Sequence, residues 1–281
     1  MQSVVVTGVS TGIGWGILKI LIQQGFRVFG SVRKKEDAER LKKEFGETFI
    51  PLLFDVTDET AVHAAEQQVR KELNGETLFG LVNNAGMAVA APMMHLPIEE
   101  FRKQLEINVT GQLIVTQAFA PLLGADRSLK GTPGRIVNIS SGSGKNGSPF
   151  VGAYVASKHA LEGMSETLRR EMMLFGIDVI IVGPGPIATP IWDKAENVDV
   201  KKYQHTDYFE AGVKFQDYII KRGRNGLPVE SVSKVVLHAL TSTRPRVRYA
   251  VTPKPFIAWA MSILPKRLID NIIAKNLGLV K

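Results

Sequence analysis

Two periods of apolar spacing alternate along the chain. Short β-branched runs at Val4–Thr7, Arg27–Val32, Phe49–Phe54, Leu78–Asn83, Arg135–Ser140, Ile177–Val182 and Arg248–Thr252 read as buried strands. Between them, Ile13–Gln24, Glu36–Phe45, Asp58–Leu73, Ile98–Leu123, Ala153–Phe175 and Glu230–Leu240 place apolar residues three and four apart, as helices with one buried face do. Strand and helix in strict turn predict βαβ units, and therefore an α/β, three-layer doubly wound fold with a seven-stranded parallel sheet. The boundaries agree: Gly25 and Gly176 stand where helices stop, and Asp58 and Pro97 where helices start.

The alternation weakens over residues 191–226. Asp193 to Tyr208 is polar and irregular, and Trp192, Tyr203, Tyr208, Phe209 and Tyr218 accumulate there, so this stretch is expected to be a mobile substrate lid. Residues 253–281 extend past the last strand. Phe256 to Leu264 is apolar but too short to span a bilayer. Pro265 then opens a helix with Leu268, Ile269, Ile272, Ile273 and Leu277 on one face and Gly278 as its stop. No linker interrupts the pattern, so one domain over 1–281 with a helical C-terminal extension is expected.

Composition narrows the chemistry. The 281 residues are 44% hydrophobic and 22% charged, with no cysteine and five histidines, which excludes disulfides and thiolate catalysis and makes a metal centre an unfavoured reading. The net charge of +8 comes from scattered basic pairs without interleaved stacking aromatics, so no nucleic-acid partner is expected. The first apolar run, Val4-Val5-Val6, leaves no room for a signal-peptide core, and a cytoplasmic location is expected.

The first strand is followed by Thr7-Gly8-Val9-Ser10-Thr11-Gly12-Ile13-Gly14, a glycine-rich turn that opens a helix. Such a turn lets backbone amides and the helix dipole meet a pyrophosphate, which makes Gly8, Ser10, Thr11, Gly12, Ile13 and Gly14 candidate dinucleotide contacts. The competing reading is a tight turn that binds nothing. The second strand ends Ser31-Val32-Arg33-Lys34, with no carboxylate for a ribose 2′-hydroxyl. Arg33 therefore points to the 2′-phosphate of NADP, with NAD as the alternative. Asp55-Val56 and Asn83-Asn84-Ala85-Gly86 also fall at C-terminal strand ends, where open α/β sheets bind ligands. Asp55 suits an adenine amine and Gly86 close passage of a ribose. Each of these on its own also fits an ordinary turn.

The reactive chemistry is expected at Ser141, Tyr154 and Lys158. Tyr154 and Lys158 are four residues apart in a helical stretch and share a face, so the ammonium can favour phenolate and make the phenol a usable proton donor and acceptor. Ser141, at the end of the fifth strand, is placed to hydrogen-bond a substrate oxygen.

Taken in order, Thr7-Gly8-x-x-x-Gly12-x-Gly14, Asn83-Asn84-Ala85-Gly86, Asn108, Ser141, Tyr154-x-x-x-Lys158 and Pro184-Gly185 resemble the short-chain dehydrogenase/reductase family, over Ser3 to about Thr189. The resemblance implies a Rossmann fold and an NAD(P)-linked enzyme that interconverts an alcohol and a ketone or aldehyde. It implies that Tyr154 is the general acid/base, that Lys158 also holds the nicotinamide ribose, that Ser141 orients the carbonyl and that Asn108 supports a water relay. Pro184, Gly185, Ile187 and Thr189 would then flank the nicotinamide, and a homo-oligomer is implied through the helices that hold Asn108 and Tyr154. The long tail is similar to that of members acting on retinoid- or steroid-like lipids. With Met93 and Trp192 as substrate contacts, and with Met87, Met94, Tyr208, Phe209, Tyr218, Phe256, Trp259 and Met261, it suggests an apolar wall for a lipophilic substrate. The basic final helix also suggests peripheral contact with an anionic membrane. Two rival readings are an epimerase or dehydratase of the same superfamily and an NADP-binding redox-sensing regulator without turnover.

Overall fold

The computed structural model describes residues 1–254, 260 and 263–280, apart from the side chain of residue 194. Phe256, Trp259 and Met261 of the expected apolar wall lie outside the described residues. Strands β1 (Ser3–Val6), β2 (Arg27–Val32), β3 (Phe49–Leu53), β4 (Gly80–Asn83), β5 (Arg135–Ile139), β6 (Asp178–Pro184) and β7 (Arg248–Val251) form one sheet in the order β3-β2-β1-β4-β5-β6-β7. Every pairing is parallel. This is the doubly wound Rossmann-like arrangement the alternation predicts, and its order reverses between β1 and β4, where such sheets bind their ligands.

Both faces of the sheet are covered, which explains the unbroken apolar runs in its strands. In β1, Val4 and Val6 join Ile17 and Leu18 of α1 (Gly12–Gln23) and Val232 and Val236 of α9 (Val229–Thr241) in one core. Val5, between them, points the other way, toward Val62 and Val69 of α3 (Glu59–Leu73) and Val115 and Phe119 of α5 (Gly111–Phe119). All three valines are fully buried. The contact of α1 with α9 depends on Gly16, where a Cβ would strike the Val229 side chain and lie 2.8 Å from Ser233 Oγ.

The long helix expected over 98–123 is segmented. It runs as α4 (Ile98–Leu105), one π-helical turn at Glu106–Thr110, then α5, closing in a 3₁₀ turn at Pro121–Leu123. The widened turn has Gly111 N–H donating back to the Glu106 carbonyl, and it carries Asn108.

Residues 191–226 are also more regular than their polar composition suggested. They form α7 (Ile191–Glu196), a 3₁₀ turn at Val200–Tyr203 and α8 (Phe209–Arg224). The missed signal is the four-residue spacing Ala211, Phe215, Ile219, whose side chains pack in one apolar cluster. That cluster also takes Ile273 and Leu277 from the C-terminal helix, Lys266–Leu277, which closes at Gly278 in a left-handed conformation with φ of 71°. No helix among the described residues is long and apolar enough to cross a membrane.

Candidate active site

The glycine turn is built for close approach. Gly8 and Gly12 have φ of 70° and 60°, values that residues with a side chain rarely take. A Cβ at Gly14 would overlap the Gly8 carbonyl oxygen. The turn is held from two sides: Gly8 N donates to Ser31 Oγ at 2.9 Å and Val9 N to the Ser31 carbonyl at 3.0 Å, while Asn84 Nδ2 donates to the carbonyls of Thr7 at 2.9 Å and Gly8 at 3.1 Å. Thr7 Oγ1 in turn accepts from the amides of Asn84 and Ala85, each at 2.9 Å. At the start of α1, Thr11 makes no side-chain cap and the first turn holds no acidic residue. The amides of Gly12, Ile13 and Gly14 therefore lie at a helix N-terminus without intrahelical acceptors, which suits an anion. Ser10 turns its carbonyl to Arg40 Nη2 at 2.7 Å. Arg40, which also pairs with Asp37 at 3.0 Å, is a basic neighbour of the turn that sequence spacing did not reveal.

Arg33 is 71% exposed on its side chain and stands 3.6 Å from Asp55 at the adjoining strand end. The Asp55 carboxylate is oriented by donations from Thr57 N at 3.1 Å and Thr57 Oγ1 at 2.9 Å. Val56 is buried, and a Cβ on Gly111 of α5 would press against it, 2.7 Å from Cγ2. Across the cleft, Thr189 Cβ lies 3.6 Å from where a Gly12 Cβ would be, so the loop after β6 meets the glycine turn. Pro184 closes β6, Gly185 N donates to the Val251 carbonyl at 2.8 Å, and Ile187 is buried in the core beside β6. Ala85 and Gly86 follow β4 at the same edge. Asn83 differs: its side chain is fully buried and donates to Thr116 Oγ1 at 2.9 Å and Asn138 Oδ1 at 3.0 Å. It ties β4 to β5 and α5, and its Oδ1 has no partner among the described residues.

Ser141, Tyr154 and Lys158 come together past the end of β5. Ser141 Oγ accepts from Ser143 N at 3.1 Å and also hydrogen-bonds the Tyr154 phenol. Tyr154 and Lys158 lie on α6 (Gly152–Glu171), with Lys158 Nζ 5.8 Å from the Tyr154 ring centroid. Lys158 is nearly fully buried and donates to the Ile139 carbonyl at 2.9 Å. Burial pushes the Tyr154 phenol above its ordinary pKa, and a hydrogen bond with Ser141 opposes this. Burial also lowers Lys158 to about 8, with the charge of Glu162 acting the other way. The ammonium is turned to the β5 carbonyl of Ile139.

Asn108 is fully buried in the π turn. Its Oδ1 accepts from Met87 N at 2.9 Å, and its Nδ2 donates to the Met87 carbonyl at 2.9 Å and Ser157 Oγ at 3.0 Å. The side chain thus locks the segment after β4 onto α6, one residue before Lys158.

On the substrate side, Met93 is 54% exposed, and a Cβ on Gly152, two residues before Tyr154, would strike its sulfur. Phe150, buried at an unusual φ of 63°, packs against Phe215 at 5.3 Å and Tyr208 at 6.3 Å between ring centroids. An aromatic residue held in that conformation is fixed by its surroundings. Trp192 is partly buried beside the loop after β6. Its Nε1 donates to the Ile187 carbonyl at 2.7 Å and its ring covers Gly223 of α8. Tyr218 is exposed, and its phenol oxygen accepts from Arg222 Nη1 at 2.8 Å.

Comparison with known proteins bears on this geometry. A family model described as short chain dehydrogenase matches residues 2–199. The chain is 41% identical over 278 residues to the NADPH-dependent 3-dehydrocapnine reductase of Ornithobacterium rhinotracheale, covering 99% of this chain and 98% of that protein. It is 30% identical to retinol dehydrogenase 7 of Mus musculus, covering 96% of this chain and 87% of that protein. Among solved structures, a short chain dehydrogenase from Burkholderia cenocepacia in complex with NADP superposes with a TM-score of 0.74 at 25% identity, covering 97% of this chain and 99% of the other.

Proposed function

Because the chain belongs to the short-chain dehydrogenase/reductase family, enzymes that act on alcohol and carbonyl groups, we propose that it is an NADP-dependent oxidoreductase interconverting a lipophilic alcohol and its ketone or aldehyde, with Tyr154 as general acid/base. The observation that carries the reading is the meeting of Ser141, Tyr154 and Lys158 at the edge of the sheet where the glycine turn opens.

The residues present fit a dinucleotide. The glycine turn is a cradle that side chains would fill, and it ends in amides without acceptors. Gly8, Ser10, Thr11, Gly12, Ile13 and Gly14 would hold the pyrophosphate, Asp55 and Val56 the adenine, and Ala85 and Gly86 the adjoining ribose. Arg33 would pair with the 2′-phosphate, and Pro184, Gly185, Ile187 and Thr189 would flank the nicotinamide. Bound NADPH would supply the hydride for reduction, and NADP would accept it in the reverse direction.

The chain's own side chains supply the rest. Ser141 Oγ, which accepts from Ser143 N, donates its proton to the carbonyl oxygen and stabilises the charge that gathers there. Tyr154 gives its proton to that oxygen, so carbonyl, hydride and proton sum to the alcohol. Burial keeps the phenol protonated until then, which suits reduction. Lys158 would hold the nicotinamide ribose, and Asn108 keeps the segment after β4 in register with α6. Reduction as the forward direction is supported by the name of the relative at 41% identity, a reductase that depends on NADPH. A lipophilic substrate is supported by the cluster of Phe150, Phe215, Tyr208 and Leu277 around Tyr154. Absorbance at the nicotinamide band, followed over a panel of aldehydes, ketones, retinoids and steroids with each cofactor, tests the reading. Turnover of none of them would overturn it.

A further inference from the structure

A buried carboxylate that the proposed reaction does not use lies directly behind its serine. Glu162 is one turn past Lys158 on α6, and its side chain is 5% exposed. It accepts from Ser140 Oγ at 2.8 Å and from Arg248 Nε and Nη2, each at 3.0 Å, and it lies 3.2 Å from Lys145 Nζ. Arg248 reaches it from β7 beneath Gly183 of β6, where a Cβ would sit 2.5 Å from Nη2, and the same Nη2 donates to the Ser141 carbonyl at 3.4 Å. Gly144, in the turn after Ser141, leaves the space: a Cβ there would lie 2.9 Å from Glu162 Oε1.

Lys158 and Glu162 therefore grip consecutive residues of one strand end. The lysine takes the Ile139 carbonyl and the glutamate takes the Ser140 hydroxyl, immediately before Ser141. A merely structural ion pair would account for Glu162 with Arg248. It would not account for a carboxylate placed on the same helix face as Lys158, where residues four apart are neighbours.

Building on the function proposed above, we infer that Glu162 is a positioning residue of the active site: its carboxylate fixes the strand end that carries Ser141 and supplies the negative charge that keeps Lys158 an ammonium. It touches neither substrate nor cofactor and acts through those two residues. Among the described residues, the titratable groups facing Lys158 are Tyr154 and Glu162 from its own helix, while β5 offers it a backbone carbonyl. Those facing Glu162 are Arg248 from β7 and Lys145 from the turn after β5. Burial pulls Lys158 down to about 8, and Glu162 opposes it. Burial pushes Glu162 up, but Arg248, Ser140 and Lys145 outweigh it and hold the carboxyl below its ordinary range.

The signs follow. Glu162→Gln keeps the shape and an acceptor for Ser140 but removes the charge, so Lys158 should lose its proton at lower pH, by roughly one unit. Arg248→Gln or Lys145→Ala removes a cation that competes for the carboxylate, so Lys158 should lose its proton at higher pH. The titration is read from the ε-carbon resonance of Lys158 in protein labelled at lysine, assigned through Lys158→Arg. In the same variants, the alkaline limb of NADPH-dependent carbonyl reduction should move in the same two directions, and Glu162→Gln should lower kcat roughly tenfold with a smaller effect on KM. Lys145 is exposed, so its variant keeps the test open if a buried variant fails to fold. Opposed shifts support the inference. An unmoved Lys158 titration in Glu162→Gln and Lys145→Ala, or rate losses with an unshifted pH profile, overturns it and leaves Glu162 a structural tie. If the unmodified protein reduces no carbonyl, the proposed function fails, whereas the titration still decides whether Glu162 sets the charge on Lys158.

Discussion

Lys158 is anchored to Ile139, not to Tyr154: its Nζ donates to that β5 carbonyl at 2.9 Å and stays 5.8 Å from the phenol ring centroid. Its burial lowers the ammonium to about 8 from an ordinary 10.5. Between those two values the unfolded chain binds more protons than the folded one, so stability rises with pH across that window. Below about pH 8 the cost of burying the ammonium is present in full. Lys158→Met should accordingly gain stability relative to the unmodified protein at pH 7, by up to about 3 kcal/mol less the lost hydrogen bond. That advantage should shrink as pH approaches 10. Urea midpoints of the two cofactor-free proteins at pH 7 and pH 10 check this, and an advantage that grows with pH would contradict it.

Arg33 projects from the end of β2 with its guanidinium 71% exposed, and its pairing with Asp55 at 3.6 Å is a surface contact of little worth by itself. A charge-assisted bond to a 2′-phosphate contributes about 1.5–3 kcal/mol, or roughly tenfold to a hundredfold in affinity. Tighter binding of NADPH than NADH is therefore expected, with the order reversed in Arg33→Asp. Arg40→Ala should weaken NADPH binding less, because Arg40 is already engaged by Ser10 and Asp37. Fluorescence titrations with both cofactors measure this, and equal dissociation constants in the unmodified protein would refute the assignment.

Gly14 permits no side chain. A Cβ there would overlap the Gly8 carbonyl oxygen and lie 2.6 Å from Asn84 Nδ2, both parts of the cradle itself. Gly14→Ala should cost about 1–3 kcal/mol of stability and at least tenfold in NADPH affinity. Gly25→Ala, whose Cβ would meet nothing within 4 Å, should be strained only by its φ of 81° and leave NADPH affinity unchanged. A Gly14→Ala protein that binds NADPH normally would show that the turn is not the pyrophosphate site.

Leu277 of the C-terminal helix shares an apolar cluster with Phe150, Phe215, Tyr154 and Tyr208. Phe215→Ala should destabilise the fold by about 3–5 kcal/mol, whereas Leu277→Ala, nearer the surface, should cost about 2 kcal/mol. If this cluster walls the substrate, Leu277→Ala lowers kcat/KM for a long-chain or polycyclic ketone several-fold more than for a small one. A higher kcat/KM for small polar carbonyls in the unmodified enzyme would remove the lipophilic assignment.

Much of this was legible in the chain, for physical reasons that differ by region. Strands such as Val4-Val5-Val6 are buried on both faces, so their apolar runs announce a parallel sheet directly. The glycine turn and the Tyr154, Lys158 pair are local in sequence, and spacing alone brings them together. What spacing cannot carry is direction. Asn83 ends the expected strand and turns its amide into the core, and Trp192 turns its indole to Ile187. The Phe215 helix went unread because exposed polar residues separate its few buried positions. Glu162 and Arg248 are 86 residues apart, and only the sheet brings β7 beside α6.

The most direct measurement of the central claim is the rate of NADPH oxidation by a long-chain ketone, compared between the unmodified enzyme and Tyr154→Phe at equal cofactor saturation. The phenylalanine ring keeps the aromatic packing and lacks only the hydroxyl, with its proton and its hydrogen bond to Ser141. The account predicts NADPH binding within about twofold of the original and a rate lower by roughly a hundredfold to ten-thousandfold. A Tyr154→Phe enzyme that reduces the ketone at nearly the unmodified rate would contradict it.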